Sequence, residues 1–204
     1  MKNFLKSKLV ASANSISDEE IILNWKKQGR PLPSPHSYKR KVIRDYGSEY
    51  KCDIFIETGT YIGDMVQAQK DFFEEVFSIE IGRKLYRKAR RRFRKDINVT
   101  LFLGDSAKVL PKVLSEVNKP AVFWLDGHYS GGITVKGDKE CPILEELDAI
   151  LSRSNMQDVV LIDDARCFVG KNSYPSIKEL RSYVKGFDNR WKMEIRDDII
   201  RLTK

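Results

Sequence analysis

Between residues 53 and 163 the chain alternates five apolar runs of four to six residues with four helix-length segments, each entered through a short turn. The runs are Asp53 to Glu57, Val76 to Glu80, Val99 to Leu103, Ala121 to Asp126 and Val159 to Asp163, and the helical segments between them start near Gly63, Gly82, Ser106 and Pro142. Runs this short and this apolar, alternating with helical patterns, imply βαβ units and a parallel sheet buried on both faces. After the last unit the rhythm breaks. Trp191 to Arg196 and Ile199 to Thr203 are two strand patterns separated only by Asp197-Asp198, which predicts an antiparallel hairpin at the sheet edge. The expected fold is therefore α/β, a Rossmann-like, doubly wound, mostly parallel seven-stranded sheet with an antiparallel C-terminal hairpin.

Residues 1–50 precede this pattern and read as a helical lead-in to a domain spanning 51–204. Ser17 and Glu20 form a capping-box signature for a helix ending at Gly29, with Ile21, Ile22 and Trp25 as its apolar stripe. A connector with Pro31, Pro33 and Pro35 follows. Ser34 then reads as an N-cap with Pro35 in the first helical position, and Tyr38, Val42 and Tyr46 mark one face of a second helix stopping at Gly47.

With 204 residues, 41% hydrophobic and 32% charged, the chain fits one globular domain, and no run approaches the roughly 18 apolar residues of a membrane span. The first fifteen residues lack the sustained apolar region of a signal peptide. Three cysteines without metal-ligand spacing argue against a disulfide framework, so a cytoplasmic location is expected. The formal net charge of +8 is concentrated in KLYRKARRRFRK, residues 84–95, where Leu85, Ala89 and Phe93 fall on one helix face. A solvated basic face is the expected reading. Attraction of a polyanion is the alternative, and nucleic acid is not the expected partner.

In an open parallel sheet, ligands bind beyond the carboxyl ends of the strands. The first such end is Glu57-Thr58-Gly59-Thr60-Tyr61-Ile62-Gly63, a glycine-containing turn beside a carboxylate that could accept from an ammonium or hydroxyl. The second ends at Glu80, the spacing at which an acid meets ribose hydroxyls in nucleotide-binding sheets. The third ends in Gly104-Asp105-Ser106, where Asp105 either accepts from an adenine amino group or caps the next helix. The fourth ends in Asp126-Gly127-His128 and the fifth in Asp163-Asp164. Three neighbouring carboxylates repel unless a cation or protons intervene, and an all-oxygen set suits magnesium or another hard divalent cation. Alternatively Asp164 pairs with Arg166 and only Asp163 faces the cleft.

Together these strand ends resemble a class I S-adenosylmethionine (SAM)-dependent methyltransferase. Within that group they are most similar to the divalent-metal-dependent O-methyltransferases of the catechol type, with its E-x-G-T-x-x-G turn, and of the macrocin type. The resemblance covers residues 50–204. It implies SAM bound by Glu57, Gly59, Thr60, Gly63, Glu80, Asp105 and Ser106, and a divalent cation on Asp126, Asp163 and Asp164. It also implies a catalytic role for Asp126. Macrocin-type enzymes carry an acidic residue two positions after the first metal aspartate; here that position is His128, which either takes the acceptor's proton or only hydrogen-bonds its loop. Segment 127–138 reads as a lid, with Tyr129, Ser130 and Lys136 as candidate acceptor contacts; His36 has no assigned role. The expected acceptor is a sugar, polyol or related small-molecule or glycan hydroxyl, and a homo-oligomer stays open. Two rival readings are a non-catalytic polyanion-binding protein and a metal-dependent oxygenase of the cephalosporin-hydroxylase type.

Overall fold

The computed structural model describes residues 16–127, 141–153 and 155–204. In chain order the elements are α1 Asp18–Lys27, α2 His36–Tyr50, β1 Ile54–Thr58, α3 Asp64–Gln69, β2 Glu75–Glu80, α4 Arg83–Arg92, β3 Val99–Leu103, α5 Ser106–Leu114, β4 Ala121–Leu125, α6 Ile143–Leu151, β5 Val159–Ile162, α7 Ile177–Phe187, β6 Lys192–Arg196 and β7 Ile199–Thr203. A single 3-10 turn, Ala165–Cys167, follows β5.

The seven strands form one sheet in the order β3-β2-β1-β4-β5-β7-β6. β1 to β5 are parallel, and β7 runs antiparallel to both β5 and β6. Chain order reverses between β1 and β4, so the topological switch point lies between Thr58 and Leu125, which are register partners.

Alternation along the central strands divides the core into two layers. Ile54, Ile56, Phe123, Leu125, Val160 and Ile162 face one way and pack with Leu110 of α5, Leu147 of α6 and Leu180 of α7. Phe55, Val122, Trp124, Val159 and Leu161 face the other way and pack with Ile43 of α2, Val66 of α3 and Ala89 of α4. Helices therefore cover both faces, the condition under which a parallel sheet is stable.

The capping box at Ser17 and Glu20 forms as expected, with Ile22 and Trp25 buried, while Ile21 points outward at 37% exposure. At α2 the expectation and the structure differ twice. Pro35 holds the cap position, and Ser34 is buried with its hydroxyl unbonded among the described residues. The helix also runs past Gly47, because that glycine serves packing: a β-carbon there would lie 2.9 Å from the Phe73 ring. α7 went unread in the sequence although Ser176 and Glu179 form a second capping box.

Candidate functional site

The β1–α3 turn is shaped by two left-handed glycines. Gly59 has φ +91°, and a β-carbon on it would lie 2.5 Å from the carbonyl oxygen of Asp126. Gly63 has φ +82°, and a β-carbon would meet the Phe93 ring at 2.6 Å. Only glycine satisfies both conformation and space at these positions. The turn is fixed to the second strand by the Gly59 and Thr60 amides, which both donate to the Ile79 carbonyl. Tyr61 and Ile62 stand at its exposed crest, each 43% accessible.

Beneath the turn lies a buried polar chain. The Ser78 hydroxyl donates to Glu57 Oε2 at 2.6 Å, and the Thr60 and Ser78 hydroxyls are 2.6 Å apart. Burial pushes the Glu57 carboxyl up to about 8; the Ser78 bond opposes this, and the charge of nearby Asp126 adds to it. Thr60 thus spends its hydroxyl on this chain and its amide on Ile79, so it acts on the turn's interior.

Glu80 accepts on both oxygens, from the Tyr61 amide at 2.7 Å and the Gly82 amide at 2.6 Å. It clamps the β1–α3 and β2–α4 loops into one floor. Burial raises its pKa, and the two amide bonds oppose the rise. Asp105 adopts the capping option: its Oδ1 accepts from the Ala107 amide at 3.0 Å, and Ser106 begins α5, buried. Glu57, Glu80 and Asp105 thus stand at the carboxyl edge of β1, β2 and β3, with Gly59, Thr60 and Gly63 in the turn above the first of them.

The ends of β4 and β5 lie side by side, as expected. The Asp126 amide donates to the Thr58 carbonyl and the Asp163 amide to the Leu125 carbonyl. The metal assignment to Asp126, Asp163 and Asp164 does not fit what surrounds these carboxylates. Lys39 of α2 places its ammonium 2.5 Å from Asp163 Oδ2 and 3.9 Å from Asp164 Oδ1. Asp163 Oδ1 accepts from the Asp164 amide, and Asp164 Oδ1 pairs with Arg166 at 2.7 Å. Arg166 in turn pairs with the buried Asp198. Among the described residues no group of three acidic, histidine or cysteine side chains is arranged to hold a metal. The pairing of Asp164 with Arg166, the alternative weighed from sequence, is the one that forms. His128, Tyr129, Ser130 and Lys136 lie outside the described residues.

Sequence reasoning missed Lys39. The signal was present: Lys39, Val42, Ile43 and Tyr46 share the helix face that was read through Tyr38, Val42 and Tyr46, so a lysine sits on a core-facing stripe. Tyr38 donates to Asp197 at 2.5 Å, and Arg30 pairs with the same carboxylate. Tyr174 was also missed; it stacks edge-on against Phe168. Burial raises its phenol, with Asp164 and Asp126 among the charges around it.

The same topology occurs in solved structures. An O-methyltransferase from Bacillus cereus in complex with SAH aligns over 96% of this chain and 94% of its own, with TM-score 0.60 and 14% identity. The chain has the class I methyltransferase fold. TomG from Streptomyces achromogenes, an O-methyltransferase involved in tomaymycin synthesis and solved with SAM, aligns over 91% of this chain and 87% of its own, with TM-score 0.58 and 15% identity. An rRNA methylase from Streptococcus thermophilus aligns over 85% and 98%, with TM-score 0.51 and 16% identity. No family model and no curated protein matches the sequence.

Proposed function

We propose that the chain is a SAM-dependent O-methyltransferase acting on a hydroxyl of a sugar, polyol or related small molecule. The observation that carries the reading is the switch point itself. There a left-handed Gly59 packs against Asp126 while Glu80 grips the amides of Tyr61 and Gly82. This leaves a backbone cradle with acids at three successive strand ends, which suits a nucleoside carrying an amino acid.

The residues fit that cofactor. Glu57 would take its ammonium, Glu80 would accept from the ribose hydroxyls through its remaining lone pairs, and Asp105 with the start of α5 at Ser106 would meet the adenine. Gly59 and Gly63 keep the turn open beside it. When bound, SAM supplies an electrophilic methyl group on a sulfonium.

The acceptor side is built from the β4 and β5 ends. A hydroxyl becomes a competent nucleophile as its proton is drawn off, and a positioned carboxylate or imidazole serves. Asp126, held by its amide on Thr58, is one candidate for that proton, and His128 two residues on is the other. A sugar or polyol acceptor is favoured by the polar, glycine-rich make-up of segment 127–138, in which Tyr129 is the one phenol ring and Phe and Trp are missing.

Transfer of a labelled methyl group to a panel of glycans, polyols and catechols tests the function, with calorimetry on SAM and its demethylated product. The reading fails if neither nucleoside binds. Asp126→Asn and His128→Ala separate the two bases: the true one lowers kcat and leaves product binding intact.

The polyanion-binding reading keeps one supporting observation, the exposed basic face of α4 over buried Leu85, Ala89 and Phe93. It requires steeply salt-dependent binding that survives Asp126→Asn and is lost on charge reversal of Arg90, Arg91 and Arg92. The oxygenase reading needs a metal on the same carboxylates and loses its support to the Lys39 pair. No helix among the described residues is long and apolar enough to cross a membrane.

A further inference from the structure

Two acidic residues at the β5 end are matched by a cation that comes from the chain itself. Lys39 and Asp163 are both buried, at 6% and 2% exposure, and their charged atoms are 2.5 Å apart. A buried ammonium and a buried carboxylate each carry a large desolvation cost, so each needs the other in place. The second oxygen of Asp163 is already on the Asp164 amide, and Asp164 leans to Arg166. A hard divalent cation binds carboxylate oxygens at about 2.0–2.6 Å. On Asp163 Oδ2 it would be forced against the ammonium, and charge repulsion would have to expel Lys39 from the core.

Lys39 is not a side chain that swings in from solvent. Val42 and Ile43, three and four residues on, are packed in the core with Trp124 and Leu161, and the neighbouring Tyr38 is tied to Asp197. The helix backbone therefore delivers the ammonium to one place.

We propose that Lys39 takes the place of a divalent cation at the β4 and β5 ends, so that the acceptor side works without a metal. The ammonium keeps Asp163 and Asp164 compensated beside Asp126. Metal-free methyl transfer rests on the methyltransferase reading, whereas occupation of the site by Lys39 does not.

The test is a Mn2+ titration of the full chain without nucleoside, read by the loss of the free-ion electron paramagnetic resonance signal. Wild type is expected to leave the signal unchanged into the millimolar range. Lys39→Met vacates the carboxylates and should bind one Mn2+ per chain at least about tenfold more tightly, the scale set by removing one unit charge beside a carboxylate. Lys39→Met with Asp163→Asn should lose that gain. Micromolar binding of one Mn2+ by wild type overturns the proposal, and so does a folded Lys39→Met or Lys39→Gln that binds no better than wild type. Circular dichroism and SAH calorimetry report whether each variant is folded, and wild type alone decides if neither is. Once an acceptor is found, turnover should persist in EDTA; loss in EDTA with recovery on added Mg2+ overturns the proposal and leaves the methyltransferase reading standing.

Discussion

Gly59 sits against the carbonyl of Asp126 so closely that a β-carbon would come within 2.5 Å of that oxygen. The contact joins β1 to β4 across the switch point, and it leaves no slack for an L side chain. Gly59→Ala would have to push the two strand ends apart while holding φ near +91°, a conformation that costs about 1–3 kcal/mol for a non-glycine residue before any clash. Chemical denaturation should show at least that loss. SAH calorimetry on the fraction that remains folded should show binding abolished.

Glu80 joins two loops through two charge-assisted bonds, so its replacement has two readouts. Glu80→Ala leaves the Tyr61 and Gly82 amides without their acceptor and should cost about 1–3 kcal/mol of stability. Glu80→Gln keeps one acceptor oxygen and presents an NH2 group to an amide donor. It should fold and bind SAH about ten- to a hundredfold more weakly. Equal SAH affinity in Glu80→Gln and wild type would remove Glu80 from the nucleoside site.

Glu57 makes stability depend on pH. Its carboxyl moves from an ordinary value of 4.5 to about 8 because it is buried. Between those values the folded chain holds a proton that the unfolded chain has released, so stability falls as pH rises through that window and levels off above it. Glu57→Gln, a mimic of the protonated form, should flatten this slope in thermal melts recorded from pH 5 to 8. Binding of an ammonium needs the ionised carboxylate, so SAH affinity should rise with pH in wild type and lose that rise in Glu57→Gln.

Ser176→Ala should cost about 1 kcal/mol, because it removes the acceptor for the Glu179 amide at the start of α7. Urea denaturation measures it. SAH affinity should be unchanged, since α7 packs on the sheet face through Leu180 and Val184 rather than at the carboxyl edge.

Most of the sheet was legible because apolar runs of strand length locate the strands, and strand ends in a parallel sheet fall on one edge. Glu57, Glu80, Asp105, Asp126 and Asp163 could therefore be placed together without any knowledge of contacts. What could not be read were pairings made by distant segments. Lys39 and Asp163 are 124 positions apart, and nothing local to VVLIDDAR says that a helical lysine will neutralise it. A carboxylate cluster and a carboxylate with its ammonium look alike until the partner's position is known. Glycine misled in another way. Gly47 carries the signal of a helix stop, yet its function is to admit the Phe73 ring, and packing at that distance leaves no local trace. Thr60 lies in the β1–α3 turn, and its hydroxyl faces inward to Ser78, a direction that the turn's sequence does not reveal.

The antiparallel course of β7 brings the Asp197-Asp198 turn back to the carboxyl edge, where Asp197 holds Arg30 and Tyr38 and Asp198 holds Arg166. This end of the edge is thus a seam closed by charge between chain-distant segments, none of which makes the bonds that fix Glu57, Glu80 and Asp105. Residues 30–39 are therefore tied by charge both to the 197–198 turn and, through Lys39, to Asp163 at the end of β5, so a change in any one of the three segments has to preserve its partners in the other two.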